Sequence, residues 1–385
     1  VDLQLSDEHR QLREVARKFT EDKIVPFAAQ WDRDESIDTA LVPALGEMGF
    51  LGLGIDEEYG GSGGDLLAYC LVLEEIARGD SAVRGIISVS LGLVGKTIAK
   101  YGTEEQKQRY LPGICAGTSI GCFGLTEPGT GSDAGSLAAR AEQDGDDWLL
   151  SGEKIFITNG TWADFALIFA RTGERGPKGV TAFLVPTGSE GFSATEIKGK
   201  LGMRGQATAS LHLDKVRVPG SARLGELGKG FRIAMSALDR GRISVAAGCV
   251  GAAQGALDAS LRYVNEREQF GKPIASFQLV QELLADMAVD TETARLLTWK
   301  AADLAERGEP FSTEASMAKL HASEASIRVA NNAVQVFGGY GYIDEFPAGK
   351  YLRDTRVTTL YEGTSQIQKL IIGRALTGVN AFNAG

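Results

Sequence analysis

The sequence predicts an α+β chain that runs helical, then β, then helical. Three observations carry this reading. Apolar residues recur at helical spacing through the first 115 residues. From Ser119 the pattern changes to short segments rich in aromatic and β-branched residues, with turn residues between them. After Gly228-Lys229-Gly230 long helical stretches return. A chain of 385 residues, 43% of them apolar, can bury a large core divided over two or three domains.

The N-terminal part opens with Ser6, which can cap a helix running to about Trp31. Asp7 and Glu8 suit its first turn, and Leu12, Val15 and Phe19 form its apolar face. A shorter helix is expected over Val42–Met48, followed by a loop at Gly60-Gly61-Ser62-Gly63-Gly64. Leu66–Ala77 and Ser81–Lys100 read as helices, and Thr103-Glu104-Glu105-Gln106 fits a capping box that starts another, to about Cys115. Expected strands are Ser119–Leu125, Trp148–Ser151, Lys154–Thr158, Phe165–Arg171, Val180–Val185 and Ser210–Val218. Asp144-Gly145 and Arg175-Gly176-Pro177 are turns among them. No helix-length segment intervenes, which argues for an antiparallel sandwich or barrel. Phe231–Glu266, the stretch from Leu279 to Leu304, and Thr313–Phe337 then suit an up-and-down bundle.

Composition removes several function classes. The net charge is -10 and no Lys/Arg block stands out, which argues against nucleic acid as a partner. Cys70, Cys115, Cys122 and Cys249 form no C-x-x-C pair, and His9, His212 and His321 are far apart. No metal site is expected, and scattered cysteines suit buried thiols in a reducing compartment. No apolar run is read as approaching the ~18 residues of a membrane span, so no membrane insertion is expected. Val1-Asp2-Leu3-Gln4 shows no signal peptide. Ser90-Leu91-Gly92-Leu93-Val94-Gly95-Lys96-Thr97 approaches a phosphate-binding P-loop, but Ser90 replaces the first glycine and the segment reads as helix.

The chemistry-bearing stretch is Leu360-Tyr361-Glu362-Gly363-Thr364-Ser365-Gln366-Ile367-Gln368. Glu362 stands between an aromatic ring and a glycine, just before Thr364 and Ser365 can cap a helix. A substrate could approach a carboxylate beside Gly363 closely. Taken alone, Glu362 also fits a first-turn residue that complements a helix dipole. Four further segments stand out. Cys122-Phe123-Gly124-Leu125-Thr126-Glu127-Pro128-Gly129-Thr130-Gly131-Ser132-Asp133 offers hydroxyls and backbone N–H groups, or is an ordinary interstrand loop. Phe156-Ile157-Thr158-Asn159-Gly160 reads as a strand ending in a turn. Arg267-Glu268-Gln269-Phe270-Gly271 holds a phosphate clamp or a solvated charge. Gln335-Val336-Phe337-Gly338-Gly339-Tyr340-Gly341 ends a helix, where Gly338 and Gly339 could be its C-cap. None lies in the βαβ context of a dinucleotide fingerprint.

Taken in order with the Glu362 stretch, these segments resemble the acyl-CoA dehydrogenases, from Leu5 to about Arg374. Tyr101-Gly102-Thr103-Glu104-Glu105-Gln106-Lys107 and the stretch from Phe231 through Arg242 share in the likeness. The resemblance implies a helical domain over 1–118, a central β-sandwich or barrel over 119–222 and a C-terminal four-helix bundle over 223–385. It further implies a homotetramer, a dimer of dimers, with FAD at the dimer interface. The implied reaction oxidises an acyl-CoA, short- to medium-chain or branched, to the trans-2-enoyl-CoA. Hydride passes to flavin N5 and electrons then go to electron-transferring flavoprotein. Bacterial cytosol, or mitochondrial matrix after leader removal, is the implied location.

By the same resemblance Glu362 is the general base. Its backbone N–H, with the flavin's ribityl 2′-hydroxyl, would hold the thioester oxygen, and Gly363 keeps that backbone open. Phe123, Leu125, Thr126, Gly131 and Ser132 match the loop along the flavin. Phe156, Ile157 and Thr158 match the strand at its other edge. Phe123 stands where many relatives have Tyr and Phe156 where many have Trp, which keeps an aromatic surface without the polar handle. Arg267, Phe270 and Gln278 match FAD contacts, Arg267 toward the neighbouring subunit's pyrophosphate. Gln335, Gly338 and Gly339 match the adenosine-side stretch from a partner chain, and Thr364 and Gln366 the contacts after the base. Ser132, Asp239, Arg242, Tyr361, Glu362 and Gly363 match substrate positions. Some relatives carry the base where this chain has Gly241, which cannot serve. Ile87, Leu91 and Val94 form the expected pocket floor by analogy. Two alternatives remain at this point: an acyl-CoA oxidase, distinguished by peroxide release, and a non-catalytic flavin- or thioester-binding subunit, distinguished by the absence of flavin reduction.

Overall fold

Helical periodicity in the first 118 residues produces a layer of short helices around a largely buried pair, Leu66–Gly79 and Ser81–Ile87. The structure, a computed structural model, describes residues 4–381. Val1-Asp2-Leu3 and the last four residues lie outside the described residues. The first helix is not continuous. α1 (Asp7–Lys23) stops at Ile24, and α2 (Val25–Asp34) restarts with Pro26 in its first turn. Proline has no N–H to continue the ladder but suits a helix start, so the expected single helix becomes two. Ser6 caps α1 as expected, accepting from the His9 N–H. α3 (Leu41–Glu47), α4 (Leu66–Gly79), α5 (Ser81–Ile87), a π-helical stretch (Ser88–Gly95), α6 (Lys96–Tyr101) and α7 (Glu104–Ala116) follow. The Thr103–Gln106 capping box at α7 is present in both directions.

The run Ser81–Tyr101 is, by length and hydropathy, apolar enough to cross a membrane, contrary to expectation. Here 89% of that window is buried inside the protein, as suits a core helix. Its π-helical turn replaces the regular helix expected there. All four cysteines are free and buried.

Eight strands form one mostly antiparallel sheet. They are β1 (Gly121–Gly124), β2 (Arg140–Asp144), β3 (Asp147–Thr158), β4 (Phe165–Arg171), β5 (Val180–Pro186), β6 (Phe192–Glu196), β7 (Thr208–Pro219) and β8 (Arg223–Leu224). Their order is β6-β7-β3-β2-β4-β5-β8, with β1 on β4. β1 and β2 run parallel to β4, correcting the purely antiparallel expectation. The two segments expected at Trp148–Ser151 and Lys154–Thr158 are one strand with two bulges. The second bulge puts Phe156 at φ +59 and leaves its ring 65% exposed, while Lys154 and Ile157 both point inward. β2 and β6 went unread because their exposed, polar residues show little apolar alternation.

α8 (Gly230–Glu266) runs 37 residues through the molecule. It packs on α4, on α9 (Gln278–Glu306) and on α10 (Ser312–Phe337). A Cβ at Gly251 would overlap the Glu74 carbonyl, so close approach to α4 needs glycine there. A two-stranded hairpin, β9 (Glu268–Gln269) and β10 (Lys272–Pro273), joins α8 to α9. α11 (Ala348–Thr355) and α12 (Ser365–Thr377) close the chain against α10.

A buried ion pair fixes the β-domain loop. Lys154 Nζ, fully buried, donates to Glu127 Oε1 at 2.7 Å and to the Leu125 carbonyl at 3.2 Å. Glu127 also accepts from the Ala138 and Ala139 N–H groups. Removing one partner strands the other charge. Glu127→Ala should therefore destabilise by about 3–5 kcal/mol in equilibrium denaturation. Replacing the pair together, Glu127→Gln with Lys154→Met, should recover part of that loss, since the amide oxygen can still accept from the Ala138 and Ala139 N–H groups; no recovery would mean the pair itself is not the source.

Candidate active site at the Glu362 turn

Glu362 adopts φ +51 and Gly363 φ +90, so two successive residues sit in the left-handed region. For Glu that conformation is unfavourable and needs support from outside the turn. Two buried side chains supply it. Lys319 Nζ, on α10, donates to the Gly363 carbonyl at 2.8 Å. Gln368 Nε2, on α12, donates to the Glu362 and Gly363 carbonyls at 3.1 and 3.0 Å. Thr364 caps α12, as expected, by accepting from the Ile367 N–H at 3.3 Å. Ser365 does not share the capping; it donates to Glu324 on α10 instead.

The turn aims the carboxylate at α8. Glu362 Oε2 is enclosed and has no hydrogen-bond partner. A Cβ at Gly241 would overlap that oxygen and lie 3.0 Å from Leu93 Cδ2. The position where some relatives carry the base thus adjoins the Glu362 carboxylate itself. Burial pushes the carboxyl up to about 7, against the opposing pull of Arg84, Lys319 and Arg242. Burial likewise lowers Lys319, to about 8.

The other predicted residues fall into groups. Asp239 and Arg242 join the Glu362 site: Arg242 pairs with Asp239, which accepts from Ser312 at 3.0 Å. Arg242 Nε has no partner. Tyr361 accepts from Arg84 Nη2 at 2.8 Å. Phe123 and Leu125 are buried in β1 and the loop after it, and the Thr126 carbonyl accepts from the Ile155 N–H at 2.9 Å. That bond sets the Phe123–Thr126 segment beside Phe156, Ile157 and Thr158. Thr158 reaches Gln206, which lies against Gly85 and donates to the Ala82 carbonyl, linking this group to α5. Gly131, Ser132 and Gln366 are exposed. The pocket-floor residues Ile87, Leu91 and Val94 are fully buried, and Gly121 N–H on β1 donates to Ser90 in the same stretch.

A third group stands apart. Arg267, Gly338 and Gly339 line one cavity of about 430 Å³ with Tyr263 and Tyr340. The Arg267 guanidinium lies 5.6 Å from the Tyr340 ring. Gly338, at φ +59, is also the C-cap of α10. Phe270 sits at the hairpin tip, 93% exposed; Gln278, at the start of α9, and Gln335, near the end of α10, are exposed. Arg267 comes 26 residues after Gly241, so about 39 Å of helix separates this group from Glu362.

Arg84, Lys319 and Gln368 were missed from the sequence. The available signals were a lone arginine in the apolar run Ser81–Tyr101 and a lone lysine among the small residues of α10.

Known proteins match nearly the whole chain. Family profiles described as acyl-CoA dehydrogenase N-terminal, middle and C-terminal domains match residues 6–118, 122–216 and 228–377. The short-chain specific acyl-CoA dehydrogenase of rat mitochondria (Rattus norvegicus) is 44% identical, over 96% of this chain and 90% of its own. Butyryl-CoA dehydrogenase from Megasphaera elsdenii superposes with a TM-score of 0.95 at 41% identity, over 98% of this chain and all of its own. A glutaryl-CoA dehydrogenase from Mycobacterium smegmatis in complex with FADH2 gives 0.94 at 36% identity, over 98% of this chain and 97% of its own.

Lys319 lowers the Glu362 carboxyl against its burial. Lys319→Met should therefore raise the pH at which the Glu362 carboxyl loses its proton. Isotope-edited infrared titration would follow this directly; an unchanged or lower midpoint would rule out the charge interaction.

Proposed function

The chain belongs to the acyl-CoA dehydrogenase family and is an acyl-CoA dehydrogenase; on that premise we propose that it oxidises a short-chain acyl-CoA to the trans-2-enoyl-CoA with Glu362 as the base. The observation that carries the base is the enclosed, unpartnered Oε2 of a carboxylate held near neutrality. A base of that kind is strong enough to take an α-proton yet still ionised at working pH. The short chain rests on the two relatives that act on short acyl groups and on the close wall that Leu93 makes beside Gly241.

Tyr361, Gly363, Asp239, Arg242 and Ser132 complete the proposed substrate contacts. The Glu362 N–H makes no hydrogen bond within the described residues, so it is free to donate to the thioester oxygen as charge develops there. Lys319 and Gln368 hold the two peptides that follow, through the Glu362 and Gly363 carbonyls, and so fix the turn.

FAD is the proposed cofactor, and the residues fit it. Phe156 presents an exposed side chain at the bulge, on the segment that the Ile155 N–H ties to the Thr126 carbonyl. Phe123, Leu125, Gly131, Ser132, Ile157, Thr364 and Gln366 complete the set on this chain. When bound, the flavin supplies the acceptor for the β-hydrogen as hydride. Arg267, Phe270, Gln278, Gln335, Gly338 and Gly339 lie too far along the bundle to reach a group seated at their own Glu362. They would serve a second copy, which supports association into at least a dimer; the proposed assembly is a homotetramer, a dimer of dimers. Electron-transferring flavoprotein is the proposed electron acceptor. Bacterial cytosol or mitochondrial matrix is the proposed location.

Purified enzyme should be yellow, and butyryl-CoA should bleach it. Glu362→Gln should lower kcat/KM at least ~100-fold; parent activity in that variant would reject the base. Only the carboxylate form can accept the α-proton, so kcat/KM should rise tenfold per pH unit below about 7 and level off above it. A profile flat from pH 5.5 to 8 would contradict the assignment.

A further inference from the structure

Proton abstraction from a plain alkyl thioester does not require Arg84, yet Arg84 is built into the site. It is 4% exposed. Its Nη1 donates to Ser88 at 3.0 Å and its Nη2 to Tyr361 at 2.8 Å, both neutral acceptors. Its Nε is enclosed and donates to nothing. Among the described residues it forms no ion pair. Arginine does not shed its proton, so the enclosed charge persists at every working pH. A buried cation without a counter-ion is costly. Glu362 acts on it electrostatically, but Glu362 becomes neutral when it takes the α-proton. It cannot be a lasting counter-ion during turnover.

The spacing is informative. Glu362 Oε2 lies against Gly241, and Arg84 Nε would be 2.7 Å from a Cβ at Gly248. Gly241 and Gly248 are seven residues apart on α8. Two turns put them on the same face, about 10 Å apart. From α-carbon to far carboxyl carbon, a five-carbon dicarboxylic acyl group spans three bonds, about 4 Å when extended. A contact of about 3 Å at each end brings the reach to roughly 10 Å.

We infer that the acyl group this site takes is a short dicarboxylic one, whose far carboxylate pairs with Arg84 and accepts from Ser88 and Tyr361 while its α-carbon faces Glu362. The inference rests on the reading of Glu362 as the base. Bound this way, the substrate supplies the anion that the enclosed guanidinium lacks. The reaction is unchanged: the α-proton goes to Glu362 and the β-hydrogen leaves as hydride to the cofactor.

The test uses the holoenzyme with glutaryl-CoA, its neutral monoamide and butyryl-CoA. Glutaryl-CoA should exceed the monoamide in kcat/KM by about 10- to 100-fold, the range of a charged hydrogen-bonded contact. Arg84→Met should lower the glutaryl-to-butyryl ratio by a similar factor. Butyryl-CoA turnover without any preference for glutaryl-CoA over the monoamide would overturn the dicarboxylic assignment and leave acyl-CoA oxidation standing. Should Arg84→Met fail to fold, the parent's discrimination between acid and amide still decides. Binding gives an arm independent of turnover. The 3-thia analogues of glutaryl- and butyryl-CoA have no β-hydrogen to lose. Tighter binding of the charged analogue supports the assignment even if no thioester reduces the flavin, which would sink only the base; equal or weaker binding overturns it.

Discussion

A left-handed turn at a buried carboxylate is the constraint on which the site depends. Glutamate in that conformation is disfavoured by about 1–2 kcal/mol, and the adjacent Gly363 is no more fixed by itself. The turn persists because three separate helices hold it. Lys319 reaches it from α10, Gln368 from α12, and Gly241 on α8 leaves the volume its carboxylate occupies. Three helices of the C-terminal part are therefore needed to place one oxygen. The same arrangement leaves the Glu362 N–H without a protein partner among the described residues, so the proposed base and the proposed oxyanion donor are oriented by one set of contacts.

Two opposed effects set the proton affinity of that carboxylate. Burial raises it, and three cations lower it. None of the three forms an ion pair with Glu362: Arg242 pairs with Asp239, Arg84 is bonded to Ser88 and Tyr361, and Lys319 to a backbone carbonyl. A direct pair would hold the carboxylate charged and occupied. At a remove, the cations temper the desolvation while leaving Oε2 free to take a proton. The balance near 7 is a property of the surroundings, since an exposed glutamate titrates near 4.3.

Much of this was legible in the sequence where the signal is local. Glu362, Gly363 and the Thr364 cap lie within three residues, and their meaning follows from their order. The capping box at Thr103 and the change of period at Ser119 are local in the same sense. What escaped was set by packing. Nothing near Lys319 in sequence points to a turn 44 residues away, and Gln368, though within the Glu362 stretch, reads as one more polar residue of the helix that follows until its side chain is seen to fold back on the turn. Arg84 looked like one charge in an apolar helix, because the reading weighed the helix and not its exception. β3 was split because its bulges interrupt the alternation that marks a strand. The break at Ile24 could have been read from Pro26, but the strong apolar face on either side concealed it.

The length of α8 ties these features to assembly. Its Gly241 end borders the carboxylate, and its far end delivers Arg267 and the exposed Phe270 about 39 Å away. A rigid helix cannot bring both ends to one ligand. With the cofactor seated as proposed, each copy completes its neighbour's site, and association becomes a condition of activity. The exposed rings of Phe156 and Phe270 suit that arrangement, since a large apolar side chain at the tip of a bulge or hairpin contributes little to its own chain's core. The apolar area they leave in water would be recovered only on contact with cofactor or partner.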